Sequence, residues 1–407
     1  MKRTAPAAQA DICGSCGNEK RIRSETAFQV GPLPKLNRKF PYYRQPREIG
    51  HFSQNRDREF CLGRSQLKKY CEPSDKNRVS FDLTEGYKNF IKRNDSAKEY
   101  LDDLLKWIML NKHLFHVMHV ESQSTQCLNT DFICWRGLLT KLLCTPYENR
   151  DGWKFAACRV NNTTYMCEYE TDDRIQQKAL ETEKQREMSY WGYKFEQYVT
   201  AHLAESGPSV DSPVNNHEGF CSVVRTRLNN HSLVFGGEVD CCNVTDSGQI
   251  QADTTSYIEL KTNRIIENER QNNNFKRFKL MKWWAQSFLI GIPKIVCGFR
   301  NDAGRVSYLQ EFAVKDLPKY CQDVDNIWQP SVCFNFLNEF LQYVKQTLTH
   351  AESKNVYVFE WKPRQDIRCT TYGPGSQYHF LPKWFLNGET DVKNIPSGEN
   401  TPRYTFE

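Results

Sequence analysis

The chain has 407 residues, a formal net charge of +6 and an aromatic content of 13%. That length and aromatic content predict a folded protein with a substantial core and exclude a low-complexity or disordered chain. The mild basic excess permits an anionic partner but does not require one.

The N-terminal segment 1–35 is polar and without hydrophobic periodicity, so we expect it to be disordered, with order beginning near Phe40. It lacks the apolar run of a secretory signal, and no later stretch is long enough to cross a bilayer. We therefore expect an intracellular protein without membrane contact. A nuclear location is favoured over a cytoplasmic one, although Lys2-Arg3 is too short to be a nuclear signal.

The 16 cysteines are spread along the chain without compact spacing. Without an export signal, that pattern favours reduced thiols over a disulfide framework. Cys13 and Cys16 have the spacing of half a zinc site, but no second pair follows closely enough to complete it. We do not expect structural zinc.

Hydrophobic periodicity predicts alternating helices and strands along most of the chain. The predicted elements are a helix from residue 99, strands at 132–136, 155–158 and 165–167, a helix over 173–204, a strand at 220–224, a helix over 274–290, strands at 295–299 and 306–314, a helix over 334–348 and a strand at 356–361. This order indicates an α+β or mixed α/β fold, with mixed sheets flanked by helices. We expect one catalytic domain over 36–387 and a loose tail over 388–407.

Acidic residues recur at a spacing of two in the stretch 235–262. Residues i and i+2 of a strand share a face, so Glu238 pairs with Asp240 and Glu259 with Lys261. A polar loop over 243–255 predicts that the two strands are antiparallel neighbours. The apolar residues between the charged ones are expected to face a core: Val239, Ile258 and Leu260.

This arrangement places three carboxylates and one ammonium in a small volume. Two like charges about 4 Å apart repel by roughly 4 kcal/mol at an effective dielectric near 20, and one lysine does not neutralise three acids. Oxygen ligands without histidine or cysteine favour Mg²⁺ or Mn²⁺, and a pair of such ions suits phosphoryl chemistry. The alternative is that these are solvated charges on an ordinary sheet.

Flanking segments supply further candidates. On the helix after residue 173, Gly192 and Glu196 share a face, and the glycine permits a close contact there. Arg136 ends an apolar strand, where it is either a surface cap or a phosphate clamp. The helix over 274–290 is basic and aromatic; its aromatic residues are expected in the core, and its cationic face suits a polyanion.

Five short motifs occur in one order: Trp135-Arg136-Gly137, Gly192-Tyr193-Lys194-Phe195-Glu196-Gln197-Tyr198, Gly237-Glu238-Val239-Asp240, Ile258-Glu259-Leu260-Lys261-Thr262 and Lys282-Trp283-Trp284-Ala285-Gln286-Ser287-Phe288. In this order they resemble the decapping exoribonuclease family, which has a PD-(D/E)XK nuclease-like core. The resemblance extends from about Phe40 to Phe385. It implies a hydrolase of RNA 5′ ends, acting on a 5′-triphosphate, an incomplete cap or an NAD cap, with 5′-to-3′ exoribonuclease activity in some members.

The resemblance also implies roles for individual residues, with two Mg²⁺ or Mn²⁺ ions as cofactor and the 5′ end of single-stranded RNA as partner. The implied metal ligands are Glu196, Glu238, Asp240, Glu259 and the carbonyl of Leu260. The implied catalytic residues are Glu238, Asp240, Glu259, Lys261 and Gln286, of which Lys261 and Gln286 hold the attacking water and the scissile phosphate. The implied substrate-binding residues are Trp135, Arg136, Gly137, Lys261 and Gln286, together with Arg58, Glu99 and Cys221, which rest on shorter motifs.

Two other functions stay open at this point. The acidic strand motif alone allows a PD-(D/E)XK nuclease that cleaves DNA. The resemblance also implies, for some fungal members, a weakly catalytic or non-catalytic partner of a 5′-to-3′ exoribonuclease. Every motif acid is present, which favours an enzyme over an inactive scaffold.

Overall fold

The computed structural model describes residues 21–115, 118–119, 126–244, 253–348 and 354–389. The strands are β1 Arg21–Phe28, β2 Arg47–Gln54, β3 Phe60–Leu62, β4 Lys68–Tyr70, β5 Phe81–Asp82, β6 Met118–His119, β7 Gln126–Cys127, β8 Phe132–Trp135, β9 Trp153–Val160, β10 Thr163–Tyr169, β11 Thr200–His202, β12 Gly219–Leu228, β13 His231–Glu238, β14 Cys241–Cys242, β15 Tyr257–Arg264, β16 Lys294–Arg300, β17 Arg305–Ala313, β18 Val356–Trp361 and β19 Ile367–Tyr372. The α-helices are α1 Leu33–Leu36, α2 Asp102–Leu110, α3 Arg136–Cys144, α4 Asp172–Ala179, α5 Glu183–Val199, α6 Glu269–Asn274, α7 Leu280–Ile290, α8 Leu317–Tyr320, α9 Pro330–Thr347 and α10 Lys383–Leu386.

Two large sheets organise the described residues. One has ten strands in the order β1-β19-β18-β9-β10-β8-β13-β12-β2-β3, and the other has seven in the order β11-β4-β14-β15-β16-β17-β5. Both are mixed: β8 runs parallel to β10 and β13, and β15 runs parallel to β16, while most other neighbours are antiparallel. The predicted mixed α+β fold with helices on the sheets is confirmed.

The core lies in layers on the faces of these sheets. Helices α3, α7 and α9 pack between the sheets in the largest apolar cluster. Helix α2 covers the opposite face of the ten-stranded sheet, so β8 is buried on both faces, with Phe132 on one side and Ile133 on the other. Helix α5 packs on the seven-stranded sheet through Phe195 and its neighbours, against Ile258 and Leu260.

Several predicted boundaries change. β1 pairs with β19, and α1 follows it, so the segment predicted as disordered up to residue 35 contains regular structure from residue 21 onward. The predicted helix over 173–204 is two helices, α4 and α5, with a capping box at Thr182 that starts the second one. Helix α3, which follows directly after β8, was not predicted. Cys13 and Cys16, and the tail beyond residue 389, lie outside the described residues.

Asn161 and Asn162 have positive φ angles of 47° and 66° and join β9 to β10 as a hairpin. Other predictions hold in detail. Helix α7 ends at Gly291, whose φ of 89° is left-handed. The aromatic residues of its helical segment are buried, among them Phe275, Trp283 and Trp284. Thirteen of the cysteines in the described part of the chain are free thiols.

The acidic stretch connects the two sheets. β13 belongs to the ten-stranded sheet and ends at Glu238, whereas β14 belongs to the seven-stranded sheet and begins at Cys241. β14 is antiparallel to β15, with Cys241 opposite Ile258. The predicted antiparallel neighbours therefore exist, but Glu238 is on neither of them, because the chain crosses from one sheet to the other at Val239 and Asp240. Residues 245–252 of the predicted loop lie outside the described residues.

Among the described residues, each helix is too short or too polar to cross a lipid bilayer.

Candidate active site

Four acidic side chains from four different elements meet at this crossing. Glu238 ends β13, Asp240 lies in the crossing, Glu259 lies in β15, and Glu196 comes from α5, which packs on β15. Each of Glu238, Asp240 and Glu259 interacts electrostatically with at least one other acid of the group. The predicted metal ligands are therefore close together, even though they come from separate sheets and a helix.

Glu259 is the centre of the polar contacts. Its side chain is 1% exposed, and its Oε1 accepts hydrogen bonds from Lys261 Nζ and Gln286 Nε2, both at 2.5 Å. Arg136 Nη1 lies 3.6 Å from Oε2, which accepts no hydrogen bond from any described residue. The predicted pairing of Glu259 with Lys261 on one strand face is confirmed, and Gln286 reaches the same oxygen from α7.

The protonation equilibria of Glu196, Asp240 and Glu259 differ. Burial, and then the charge of Glu238, raises the pKa of Glu196 from 4.5 to about 7. Burial, followed by Glu259 and Glu196, raises the pKa of Asp240 well above its ordinary value. Burial also disfavours the Glu259 carboxylate, but Lys261 and Arg136 outweigh it and lower that pKa. The charged form of Glu259 is therefore favoured. The charged forms of Glu196 and Asp240 are disfavoured, in part by the negative charge of Glu259.

Asp240 is oriented by the backbone of the strand opposite. Its Oδ2 accepts a hydrogen bond of 2.6 Å from the amide of Leu260. The Leu260 side chain is 3% exposed and packs under α5, so its peptide group, not its side chain, faces the acids. The implied role of the Leu260 carbonyl as a metal ligand stays a prediction.

Arg136 and Trp135 form one wall of the site. The Arg136 guanidinium donates to the carbonyls of Gln286 at 3.2 Å and Glu238 at 3.3 Å, and the side chain is 9% exposed. Trp135 Nε1 donates to the Tyr100 carbonyl at 2.6 Å, which fixes the indole ring. Of the two roles left open for Arg136, the surface cap is wrong, since its charge is buried against the acidic site.

Glycines on β13 allow neighbouring side chains to lie against the backbone of this strand. A Cβ on Gly236 would lie 2.6 Å from the Trp135 ring, and a Cβ on Gly237 would lie 2.2 Å from the Ile290 side chain. By contrast, a Cβ on Gly192 would meet no described atom within 4 Å. No described residue therefore makes the close approach that Gly192 permits. The close approach to α5 occurs at Gly298 of β16, where a Cβ would lie 2.5 Å from Phe195.

The three substrate-binding candidates on shorter motifs also lie beside the acids. Arg58 and Glu99 form a bidentate ion pair with two 3.0 Å hydrogen bonds. A Cβ on Gly219 would lie 3.4 Å from Glu238 Oε1 and 3.7 Å from Arg58 Nη1, which places those two side chains side by side. Cys221 is opposite Glu238 in the β12–β13 ladder, and burial, followed by Glu238, raises the pKa of its thiol. A thiol in that state is a poor nucleophile.

A cavity of about 870 Å³ opens from the acids along the wall. Trp135, Arg136, Gly137, Glu238 and Gln286 line its inner end. Its outer end reaches residues that the sequence did not single out: Arg150, Arg174, Gln177 and Lys178. Three of these lie on α4, whose run of charges was visible in the sequence, but its position beside the site depends on the tertiary fold.

The donor set fits a hard divalent cation. It consists of carboxylates, with an unpartnered oxygen on buried Glu259 and two acids whose charged forms are unfavourable without a counter-charge. As the side chains stand, no group of three or more acidic, histidine or cysteine side chains among the described residues is placed to hold a metal ion. Lys261 and Gln286 both donate to Glu259 Oε1 in this arrangement. The residues that would hold a cation are Glu196, Glu238, Asp240 and Glu259.

Comparison with known proteins decides the family. A family model described as RAI1 like PD-(D/E)XK nuclease matches residues 44–386. The chain belongs to the RAI1-like PD-(D/E)XK nuclease family. This membership and the acidic site make it a metal-dependent hydrolase of the nuclease type.

Two relatives of this RAI1-like nuclease are both named Decapping and exoribonuclease protein. The Xenopus laevis protein is 40% identical over 352 residues, covering 86% of this chain and 87% of its own length. The Homo sapiens protein is 38% identical over 384 residues, covering 94% and 92%. The crystal structure of S. pombe Rai1 in complex with 3′-FADP is similar with a TM-score of 0.66 and 25% identity, over 86% of this chain and 99% of the other.

Proposed function

We propose that this protein is a metal-dependent hydrolase of RNA 5′ ends that are incompletely capped or carry a nucleotide cap such as NAD. The proposal rests above all on the convergence of Glu196, Glu238, Asp240 and Glu259 at the point where the two sheets meet, with Lys261 and Gln286 on Glu259. The names of the relatives, and the dinucleotide bound to S. pombe Rai1, support RNA caps as the substrate class.

A divalent cation bound by these acids would supply an acidified water and neutralise charge on the scissile phosphate. The chain itself supplies the remaining charge and the orientation. Glu259 and Asp240 raise the pKa of Lys261 despite its burial, so the ammonium stays charged and stabilises negative charge developing on the phosphate. The Gln286 amide, which comes from α7 and donates to the same Glu259 oxygen as Lys261, orients a water or a phosphate oxygen beside it.

The wall residues bind the substrate. Arg136 lies at the inner end of the cavity with its guanidinium against the site, where a phosphate of the RNA would replace part of its contact with Glu259. Trp135 in the lining of the cavity suits a flat base, and the remaining lining contains both basic and acidic side chains, with Arg150, Arg174 and Lys178 among the basic ones. A pocket of this form accepts a single strand by its end.

The test is hydrolysis of a panel of 5′ ends. Purified protein with Mg²⁺ or Mn²⁺ is incubated with RNA carrying a 5′-triphosphate, an unmethylated cap, an NAD cap or a 5′-monophosphate, and with duplex DNA. We expect release of pyrophosphate or of the cap nucleotide from at least one capped or triphosphate RNA, and loss of that activity in the Glu238→Ala, Asp240→Ala variant. If every RNA stays intact, the proposal fails; cleavage of duplex DNA instead would identify the DNA nuclease alternative.

The proposal includes two further predictions, one on a protein partner and one on localisation. A 5′-to-3′ exoribonuclease protein as a stable partner is tested by co-purification of the tagged chain with such an enzyme, with and without RNase treatment. Nuclear localisation is tested by imaging the tagged full-length chain in cells.

A further inference from the structure

Glu48 is a buried carboxylate that the proposed chemistry does not use. It lies on β2 of the ten-stranded sheet, and its side chain is 6% exposed. A charge so far from water is stable only if its oxygens are paired, and every such pair fixes the position of another group. The partners of Glu48 therefore show what it holds in place.

Four side chains surround the Glu48 carboxylate. Oε2 accepts hydrogen bonds from Ser222 Oγ and Tyr257 OH, each at 2.7 Å. Oε1 contacts His51 Nδ1 at 2.9 Å, and because a carboxylate only accepts, the ring nitrogen is the donor. Arg64 Nη2 lies 3.6 Å from the same oxygen. The two hydroxyl groups and the imidazole pair both oxygens of the buried carboxylate, which restrains its position.

The two hydroxyl groups on Oε2 belong to different sheets. Ser222 is on β12, in the same ten-stranded sheet as Glu48, and is opposite Gly237, the neighbour of Glu238. Tyr257 is the first residue of β15, in the seven-stranded sheet, two positions before Glu259. Oε2 of Glu48 thus links Ser222 to Tyr257. Ser222 lies opposite the residue before Glu238, and Tyr257 shares a strand face with Glu259.

Polar contacts among the described residues join the two sheets next to the acids. The chain itself crosses at Val239 and Asp240, and Arg136 contacts the Glu238 carbonyl and the Glu259 carboxylate. The bond from Tyr257 to Glu48 is a further connection, made on the N-terminal side of Glu259, where neither of the others reaches. Ring packing of Phe220 on Tyr257, with centroids 5.9 Å apart, supports the same junction.

We propose that Glu48 is a positioning residue that, through Tyr257, holds the seven-stranded sheet against the ten-stranded sheet and so sets the separation of Glu259 from Glu238. The inference rests on the proposed function, since that separation matters only if the two carboxylates share a cation or a phosphate. Mg²⁺ requires ligands at 2.0–2.1 Å in near-octahedral geometry, so a small relative shift of the sheets weakens the joint site.

The test uses two variants that each remove one hydroxyl from the same oxygen. Tyr257→Phe breaks the contact between the sheets, whereas Ser222→Ala breaks a contact of the same length within one sheet. Both leave Glu48 with its remaining partners, so both variants are expected to fold and to lose similar amounts of thermal stability. The measurement is Mn²⁺ binding to the RNA-free chain by isothermal titration calorimetry, together with the Mn²⁺ dependence of hydrolysis.

We expect Tyr257→Phe to weaken Mn²⁺ binding by about 10-fold, the lower range seen when groups that orient metal ligands are removed, and Ser222→Ala to change it less than about 3-fold. A Tyr257→Phe chain that binds Mn²⁺ as tightly as the wild type, or two variants with equal losses, would overturn the proposal. A wild-type chain that binds Mn²⁺ but hydrolyses no RNA would instead contradict the proposed function and leave the binding comparison valid.

Discussion

At the residue scale, the acidic site combines a carboxylate whose charged form is favoured with one whose charged form is disfavoured. Burial and two neighbouring acids make the charged form of Asp240 unfavourable, whereas Lys261 and Arg136 make the charged form of Glu259 favourable. The same substitution, a carboxylate replaced by its amide, should therefore have opposite effects on folding at these two positions.

We predict that, without metal at pH 7, Asp240→Asn raises the free energy of unfolding by about 1 kcal/mol or more, because it removes a strained charge and keeps an oxygen for the Leu260 amide. Glu259→Gln should lower it by about 3 kcal/mol, because it leaves Lys261 and Arg136 buried without their counter-charge. Urea unfolding of both variants measures this, and both should lose hydrolysis. Destabilisation by Asp240→Asn would contradict the account.

The raised pKa of Glu196 gives a pH prediction for the metal-free chain. Its value is 4.5 in the unfolded chain and about 7 in the fold, so between these pH values the folded state binds more protons than the unfolded state. Stability should then fall as the pH rises from about 4.5 to 7, and Asp240 acts in the same direction. Thermal unfolding in a chelator measures the slope, and Glu196→Gln should flatten it. An equal slope in that variant would contradict the assignment.

At the scale of elements, the sequence predicted which residues form the site better than it predicted which strands and helices bring them together. The i, i+2 spacing placed Glu259 and Lys261 on one face correctly, since that spacing is local. It did not predict that the chain crosses from one sheet to the other at Val239 and Asp240, directly after Glu238, because strand pairing depends on long-range contacts. Helix α3 was not predicted, because its apolar face continues the pattern of the strand before it.

Packing of α5 on β16 should be sensitive to a single methyl group. We predict that Gly298→Ala lowers stability by about 1–3 kcal/mol and reduces activity, since its Cβ would lie 2.5 Å from Phe195, the neighbour of Glu196. Gly192→Ala, on the same helix as Phe195, is the matched control. Its Cβ would meet no described atom within 4 Å, so the free energy of unfolding should rise by about 1 kcal/mol from helix propensity. Thermal unfolding and hydrolysis are measured for both. Partial rescue of Gly298→Ala by Phe195→Leu is expected, and equal behaviour of the two alanine variants would count against this packing.

At the scale of the whole molecule, the site depends on the junction between the two sheets. The motifs were sufficient to predict the family, because their order is specific even where the intervening structure is not predicted. The sheet order was not predictable, and with it the role of Glu48 and the position of α4, since these follow from which strands become neighbours. The β1 strand was missed because its sequence is polar and its pairing with β19 is almost the full length of the chain away.

A cation bound between the sheets should stabilise the whole fold. Since it binds only the folded chain, Mn²⁺ at about 100 times its dissociation constant should raise the free energy of unfolding by about 2.7 kcal/mol. The Glu238→Ala, Asp240→Ala variant should show no such increase, and should keep its circular dichroism spectrum, because removing crowded acids relieves repulsion. Melting curves with Mn²⁺ and with chelator compare the two chains. An equal Mn²⁺ effect in the variant would place the bound ion elsewhere.

The most direct test of the central claim is anomalous diffraction from crystals soaked in Mn²⁺ and bound to a 5′-triphosphate RNA that is not hydrolysed. We expect anomalous density between Glu196, Glu238, Asp240 and Glu259, next to the terminal phosphates, with Arg136 and Lys261 in contact with these phosphates. Density at another place, or terminal phosphates bound away from these four acids in a chain that hydrolyses RNA, would contradict it.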